Sequence, residues 1–365
     1  MWPNRRLLDL LGTELPIIQA PMAGANGAAM AIAVSEAGGL GSLPCAMLDA
    51  DKVRAEIGVI RQQTTKPLNT NFFCHTPEEP DPDAEIQWRK ALERFYLELG
   101  LNLSAAAPAP NRRPFDDEMC TIVEEVVPEI VSFHFGLPAK ELVRRVKSAG
   151  CTVIASATSV AEASWLQDNG CDAVIAQGYE AGGHRGMFLA EDITTQAGTM
   201  ALVPQVVDAV SVPVIASGGI ADARGIAAAF ALGAAGVQLG TAYLLTPEAT
   251  ISELHKDALR SAKDDQTMLT NIFSGRPARG LVNRIMREAG PMSDAAPIFP
   301  TAGGALAPLK VKAEENGRTD FSSLWSGQAA ALASEMGSGE LTRQLAEDGL
   351  KLLARLGGRA AQSIL

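Results

Sequence analysis

VPVIASGGIADARGIAAAFALGAAGVQLGTA, residues 212–242, decides the fold. It opens on an apolar run (212–219), passes into the alanine-rich ADARGIAAAFALG (221–233), stops at Gly233 and resumes as a second apolar run (236–242). Runs that are unbroken rather than alternating are what parallel strands covered on both faces require. A glycine directly after an alanine-rich segment is a common helix stop. The stretch therefore reads as strand, helix, strand. From its middle onward the chain, Ile226–Leu245, is almost uncharged and about as long as a membrane span. However, Gly233, Gly236 and Gly240 interrupt it and its period changes midway, so no membrane is implied.

The same unit recurs along the chain. Apolar runs at 16–21, 40–44, 68–73, 130–136, 152–157 and 172–178 join those at 212–219 and 236–242. Between them lie helical segments such as 26–38, 138–150 and 159–170, and Gly38, Gly150, Gly170 and Gly233 each stand between a helix and the next strand. Alternating strands and helices specify a parallel sheet, and eight units predict an α/β fold of the closed (β/α)₈ TIM type. An open doubly wound sheet is the rival, but no GxGxxG occurs in the first unit and no GxxxxGK[ST] anywhere. Two regions break the pattern. Residues 75–129 form a long excursion, Pro- and acid-rich and then helical. Residues 246–305 read as a small, mostly helical insertion over the active site. The barrel is expected to span 1–245 and to be completed by 306–365.

Composition narrows the function classes. With 365 residues, 47% of them hydrophobic, the chain can bury a large core. A net charge of −11 lacks the basic footprint that nucleic acid or an anionic membrane needs. The five cysteines (45, 74, 120, 151 and 171) are scattered with no CxxC pair, which points to a reduced, cytoplasmic setting without a zinc site. Cys74–His75 has no second pair to complete four metal ligands. Nothing in the sequence specifies an oligomeric state.

Barrels of this type carry their chemistry at the C-terminal ends of the strands, and the unusual residues collect there: Pro21 and Met22, Asn71 with FFCH, HFGLP (134–138), AQGYEAGGHRG (176–186), Ser217-Gly218-Gly219, and Gln238-Leu239-Gly240-Thr241. Glycines between a strand and a helix N-terminus offer backbone N–H groups to phosphate, and the pair of loops after strands 7 and 8 is a frequent phosphate site. His184 stands among glycines that let a planar ligand approach the backbone. It suits proton abstraction or the holding of an anion. No carboxylate pair or second histidine at ligand spacing supports a metal there. Glu180 and Arg185 read as a local ion pair shaping the loop. His134, on an alternating SFHFG, either faces the barrel mouth or packs. Met22, Phe72 and Phe73 read as packing residues, Met22 with the option of leaning on a cofactor ring.

In order along the chain, PIIQAPMAG, NFFCH, FHFGLP, ATSVAEA, AQGYEAGGHRG, PVIASGGIADARG, GVQLGTAYL, FSGRPARG and WSGQ resemble the class I nitronate monooxygenases, flavoenzymes once called 2-nitropropane dioxygenases. The combination of QAPM, NFFCH, HFG and SGRPARG is specific; EAGGH and the SGG/QLGT pair are shared with a wider set of flavin barrels. The resemblance implies FMN, its phosphate on Ser217, Gly218, Gly219 and the Gln238–Thr241 loop (Gln238, Leu239, Gly240, Thr241), and flavin contacts from Pro21, Met22, Asn71, Gln177, Gly182 and Gly183. It implies that His184 is the catalytic histidine and that the small-molecule partners are an anionic alkyl nitronate, such as propionate 3-nitronate, and O₂, with a carbonyl compound and nitrite as products. One departure stands out: PIFPTAG (297–303) has Phe299 in a segment where such enzymes carry tyrosines. The alternative is a flavin-dependent NAD(P)H oxidoreductase on the same barrel, such as an enoyl-acyl-carrier-protein reductase, which typically reads QGGM in place of QAPM. An IMP-dehydrogenase-like barrel needs a nucleophilic cysteine in the loop after strand 6, and GYEAGGHRG has none. A flavin-binding scaffold without turnover is the non-enzymatic rival.

Overall fold

The computed structural model describes residues 1–77, 79, 81–104 and 112–362. Glu78, Pro80 and 105–111 of the 75–129 excursion, and the last three residues of the C-terminal segment, lie outside the described residues. Eight parallel strands form the barrel: β1 (Ile17–Gln19), β2 (Gly41–Pro44), β3 (Leu68–Phe73), β4 (Ile130–His134), β5 (Thr152–Ala157), β6 (Ala173–Gln177), β7 (Val214–Ser217) and β8 (Gly236–Leu239). They pair in chain order, β8 pairs with β1, and the ring closes where Ile18 bridges Leu40 between β1 and β2. All eight expected strands are present.

The helix stops behave as the sequence implies. Gly38, Gly150, Gly170 and Gly233 have φ of 92°, 96°, 99° and 91°, the left-handed conformation that ends a helix and that glycine adopts without a Cβ penalty.

Side-chain alternation then divides each strand between two cores. Ile18, Ile130, Ile154, Ile175 and Ile215 pack together inside the barrel with Leu7 and Leu11 of the N-terminal helix Arg6–Leu11. Val131, Phe133, Val153, Ala155, Val174, Ala176, Val214, Ala216, Val237 and Leu239 belong to the core shared with the surrounding helices. Continuing the inward series toward the C-terminal ends brings Ser132, His134, Ser156, Gln177, Ser217 and Gln238 to the barrel mouth, where all six line one cavity. The apolar inner layer is the floor of that cavity, and its polar walls are the same strands two residues later.

A further core lies outside the barrel. Trp88, Leu92, Phe95 and Tyr96 of helix Pro82–Glu98 pack with Ile285 and Met286 of helix Arg284–Ala289 and with Leu306 and Leu309 of helix Gly303–Glu314. Trp88 Nε1 donates to Ala302 O (3.0 Å) and the Tyr96 hydroxyl to Ala305 O (2.6 Å). The excursion after β3 and the segment after β8 thus make one cap. Helix Ser338–Gln362 packs instead on the barrel helices Ala28–Glu36 and Ala223–Ala231. Within 246–305 the structure adds a hairpin to the expected helices: Thr267–Thr270 pairs antiparallel with Ala278–Leu281. Among the described residues, no helix is long and apolar enough to cross a membrane.

Gly41 shows how tightly strand and helix meet, because a Cβ there would overlap the Ala31 carbonyl. Gly41→Ala is expected to cost at least about 2 kcal/mol, read as a fall in the urea midpoint. Gly58, in helix Ala50–Gln63 with nothing near its missing Cβ, is the counterpart. Gly58→Ala should raise stability by about 0.5–1 kcal/mol.

Candidate active site

The cavity at the barrel mouth has a volume of about 540 Å³. Pro21, Met22, Asn71, Gln177, Gly182, Gly183, His184, Ser217, Gly218, Gly219, Gln238, Gly240 and Thr241 all line it. Leu239 does not: it is one residue out of phase with Gln238 and is buried in the helix-side core. His134 faces the mouth, as does Phe73, whereas Phe72 points outward into the core.

His184 is fixed from both sides. Gly183–His184 forms a two-residue strand against the cap hairpin, with His184 opposite Ala278 and Gly183 opposite Arg279, and Arg185 N donates to Pro277 O (2.9 Å). From the barrel side, Gln177 spends its amide on this loop: Nε2 donates to His184 O (3.0 Å) and Oε1 accepts from Gly186 N (2.8 Å). His134 Nε2 also lies 3.3 Å from His184 O, and its Nδ1 is 3.1 Å from Ser156 Oγ. The imidazole Nε2 of His184 is 2.8 Å from Ser274 Oγ, which donates on to Arg276 O (3.3 Å).

Glu180 and Arg185 do not form the expected ion pair. Arg185 is fully buried and donates to Gly178 O (2.6 Å), Gln177 O (2.7 Å) and Gln196 Oε1 (2.7 Å). Glu180 accepts from Thr199 N and Oγ1, both at 2.8 Å for Oε2. In so compact a loop, carbonyls and N–H groups outnumber charges. Each side chain therefore satisfies backbone that would otherwise be orphaned on burial.

The ring of His184 sits among aromatic side chains, with centroid separations of 5.5 Å to Trp325, 5.7 Å to Phe299, 6.0 Å to Phe135 and 6.4 Å to Phe73. Phe135 holds this position at φ +70°, a left-handed conformation costly for a bulky residue. The Arg276 guanidinium lies 4.3 Å from the Phe135 ring centroid, a cation–π contact. Among the described residues no tyrosine lines the cavity, and Phe299, where a phenol was at issue, is a buried ring packed against His75, Phe135 and His184.

Burial drives the His184 pKa well below the ordinary imidazole value, helped by the positive charges of Arg112 and Arg276 and by the neighbouring His134 and His75. His75 and His134 are pushed down to about 4, also mainly by burial, with Arg276 adding to both. All three are neutral at neutral pH.

The opposite wall is backbone. Gly218 and Gly219 have φ of 112° and 68°, and among the described residues no group accepts from the N–H of Gly219, Ile220 or Ala221. Asp222 caps the next helix through Arg224 N and Gly225 N, so those three N–H groups remain for a ligand. Gln238 Oε1 is buried with no hydrogen-bond partner. Gly24 and Gly183, at φ 78° and 69°, face open space. Across the mouth, Gly327 N donates to Thr241 Oγ1 (2.9 Å) and Gln328 N to Glu180 O (3.0 Å). A Cβ at Gly182 would collide with Gly327 N.

A family model described as nitronate monooxygenase matches residues 4–348. The chain belongs to the nitronate monooxygenase family. A nitronate monooxygenase of Pseudomonas aeruginosa is 42% identical over 349 residues, covering 94% of this chain and 98% of that one. Among solved structures, the nitroalkane oxidase of Streptomyces ansochromogenes superposes with a TM-score of 0.87 at 38% identity, covering 96% of this chain and 99% of that one. FabK from Thermotoga maritima gives 0.73 at 28%, covering 98% and 100%. Like the nitronate monooxygenase family as a whole, this chain is an oxidoreductase. What sequence reading missed in it is the contribution of the cap. FSGRPARG and WSGQ carry the resemblance, yet the motifs alone gave no role to Ser274, Arg276 or Trp325.

The buried histidines make the fold less stable in acid. His75, His134 and His255 have pKa values near 4, against 6.5 unperturbed, with burial as the largest cause in each. Between about pH 6.5 and 4 the unfolded chain binds more protons than the folded one, so stability falls as pH falls through that window. Denaturant titrations from about pH 7 to 4 should show a loss of several kcal/mol. His255→Gln, outside the His184 cluster, should make the slope shallower.

Proposed function

We propose that the protein is an FMN-dependent nitronate monooxygenase that oxidises alkyl nitronates, propionate 3-nitronate among them, with O₂ to a carbonyl compound and nitrite. The residues at the mouth fit the cofactor. The unpartnered N–H groups of Gly219, Ile220 and Ala221 would take the phosphate, with Ser217, Gly218 and the Gln238–Thr241 turn beside them. The orphaned Gln238 Oε1 and the open glycines 24 and 183 suit a flat polar ring system. Pro21, Met22, Asn71 and Gly182 would complete its surroundings. Bound there, FMN supplies one-electron oxidation of the nitronate and the electrons for reaction with O₂.

The observation that carries the reading is the neutral, pinned imidazole of His184 beside two guanidinium charges. In the tautomer where Nε2–H donates to Ser274 Oγ, and Ser274 to Arg276 O, Nδ1 holds the lone pair. A neutral imidazole can take the α-proton of a nitroalkane, and Arg276 would favour the anion that results. With a preformed nitronate no proton needs to be moved, and the same positive field holds the substrate. The aromatic rings around His184 give it apolar surroundings, in which the charges of that transfer act more strongly.

Oxygen uptake with propionate 3-nitronate, nitrite release and no added nicotinamide tests the proposal. Rapid reduction of the bound flavin by NADH or NADPH, with no nitronate turnover, would instead support the oxidoreductase alternative. Bound FMN with neither activity would support a scaffold. His184→Asn should retain FMN and slow neutral nitroalkanes by about 10²-fold or more, with a much smaller effect on preformed nitronates. Equal losses on both would sink the proton-transfer role.

A further inference from the structure

Beyond its share of the positive field at His184, Arg112 has a placement of its own in this site. Its side chain lines the cavity, 5.9 Å from the centroid of the Phe299 ring. The same ring lies 5.7 Å from His184 and 4.8 Å from His75. Among the described residues no carboxylate or carbonyl accepts a hydrogen bond from Arg112, and no ion pair includes it. Burial disfavours its charge with no acid to offset the cost. Arg112 also acts electrostatically on both His75 and His184, in keeping with the Phe299 ring that lies near all three. The lining also holds Lys310 and Glu314, which are 3.9 Å apart as an ion pair and act on His255.

A half-buried guanidinium without a counter-ion among the described residues is unfavourable by itself. Its planar fork matches a carboxylate, which can accept two parallel N–H bonds. The Phe299 ring beside it is buried and apolar and offers no competing donor. We propose that Arg112 is the specificity-determining anchor for a second anionic group on the substrate, a carboxylate a few bonds from the reacting carbon, so that the site selects carboxylated nitronates over plain alkyl ones. The proposal rests on the nitronate reading of the site and adds the residue that reads the substrate's tail.

The test compares wild type, Arg112→Gln and Arg112→Lys on propionate 3-nitronate and on propane 1-nitronate, by oxygen uptake. FMN content serves as the check on folding. The ratio of kcat/KM for the carboxylated over the plain substrate should fall about 30-fold in Arg112→Gln, mainly through KM for propionate 3-nitronate. Arg112→Lys should recover part of that ratio. Succinate, which places a carboxylate where the nitronate would be, supplies a readout independent of turnover. Its affinity, measured as a perturbation of the flavin absorbance, should fall by a similar factor in Arg112→Gln and be partly restored in Arg112→Lys. An unchanged ratio, or an equal loss on both nitronates, would overturn the anchor role. If wild type oxidises neither nitronate, the underlying reading fails, while the succinate titration still decides whether Arg112 grips a carboxylate.

Discussion

Two residues of β-structure hold the site together. Gly183 and His184 leave the barrel after β6 and pair with Ala278 and Arg279 of the cap hairpin. That pairing fixes the backbone of His184, and Ser274, in the turn that joins the hairpin strands, fixes its ring. Gln177 anchors the same loop to the strand it came from. Without the hairpin, the glycines around His184 would leave the imidazole free to sample many positions. With it, a loop rich in glycine becomes a defined platform, which is what proton transfer at a set distance demands.

The barrel was readable because its signals are local. Unbroken apolar runs, alanine-rich helices and the stop glycines at 38, 150, 170 and 233 each report on a few neighbouring residues, and together they imply a closed parallel sheet. Alternation also explains most of the cavity wall, since Ser132, Ser156, Gln177, Ser217 and Gln238 follow from the inward phase of their strands. The same rule removes Leu239, which a run of four adjacent loop residues had swept in.

What was hard to read depends on contacts far apart in sequence. Ser274 lies ninety positions from His184, and no periodicity connects them. Helix Pro82–Glu98 meets helix Gly303–Glu314 in a core that neither segment announces alone. The exchange of an expected Glu180–Arg185 ion pair for two sets of backbone contacts has a similar origin: opposite charges near one another in sequence suggest attraction, but the carbonyls of residues 177 and 178 become visible only once the loop has closed over Arg185.

The contact of Gly182 with Gly327 has a bearing on how such a protein can be rebuilt. Main chain touches main chain there, with no side chain in between to trim or exchange. Barrel and cap meet across a seam that tolerates no padding, so neither half is a free-standing module. A chimera that grafts a foreign cap onto this barrel must carry the 176–186 and 325–328 segments as a matched set. Altering the breadth of accepted substrates is easier at cavity positions that carry side chains than along this line.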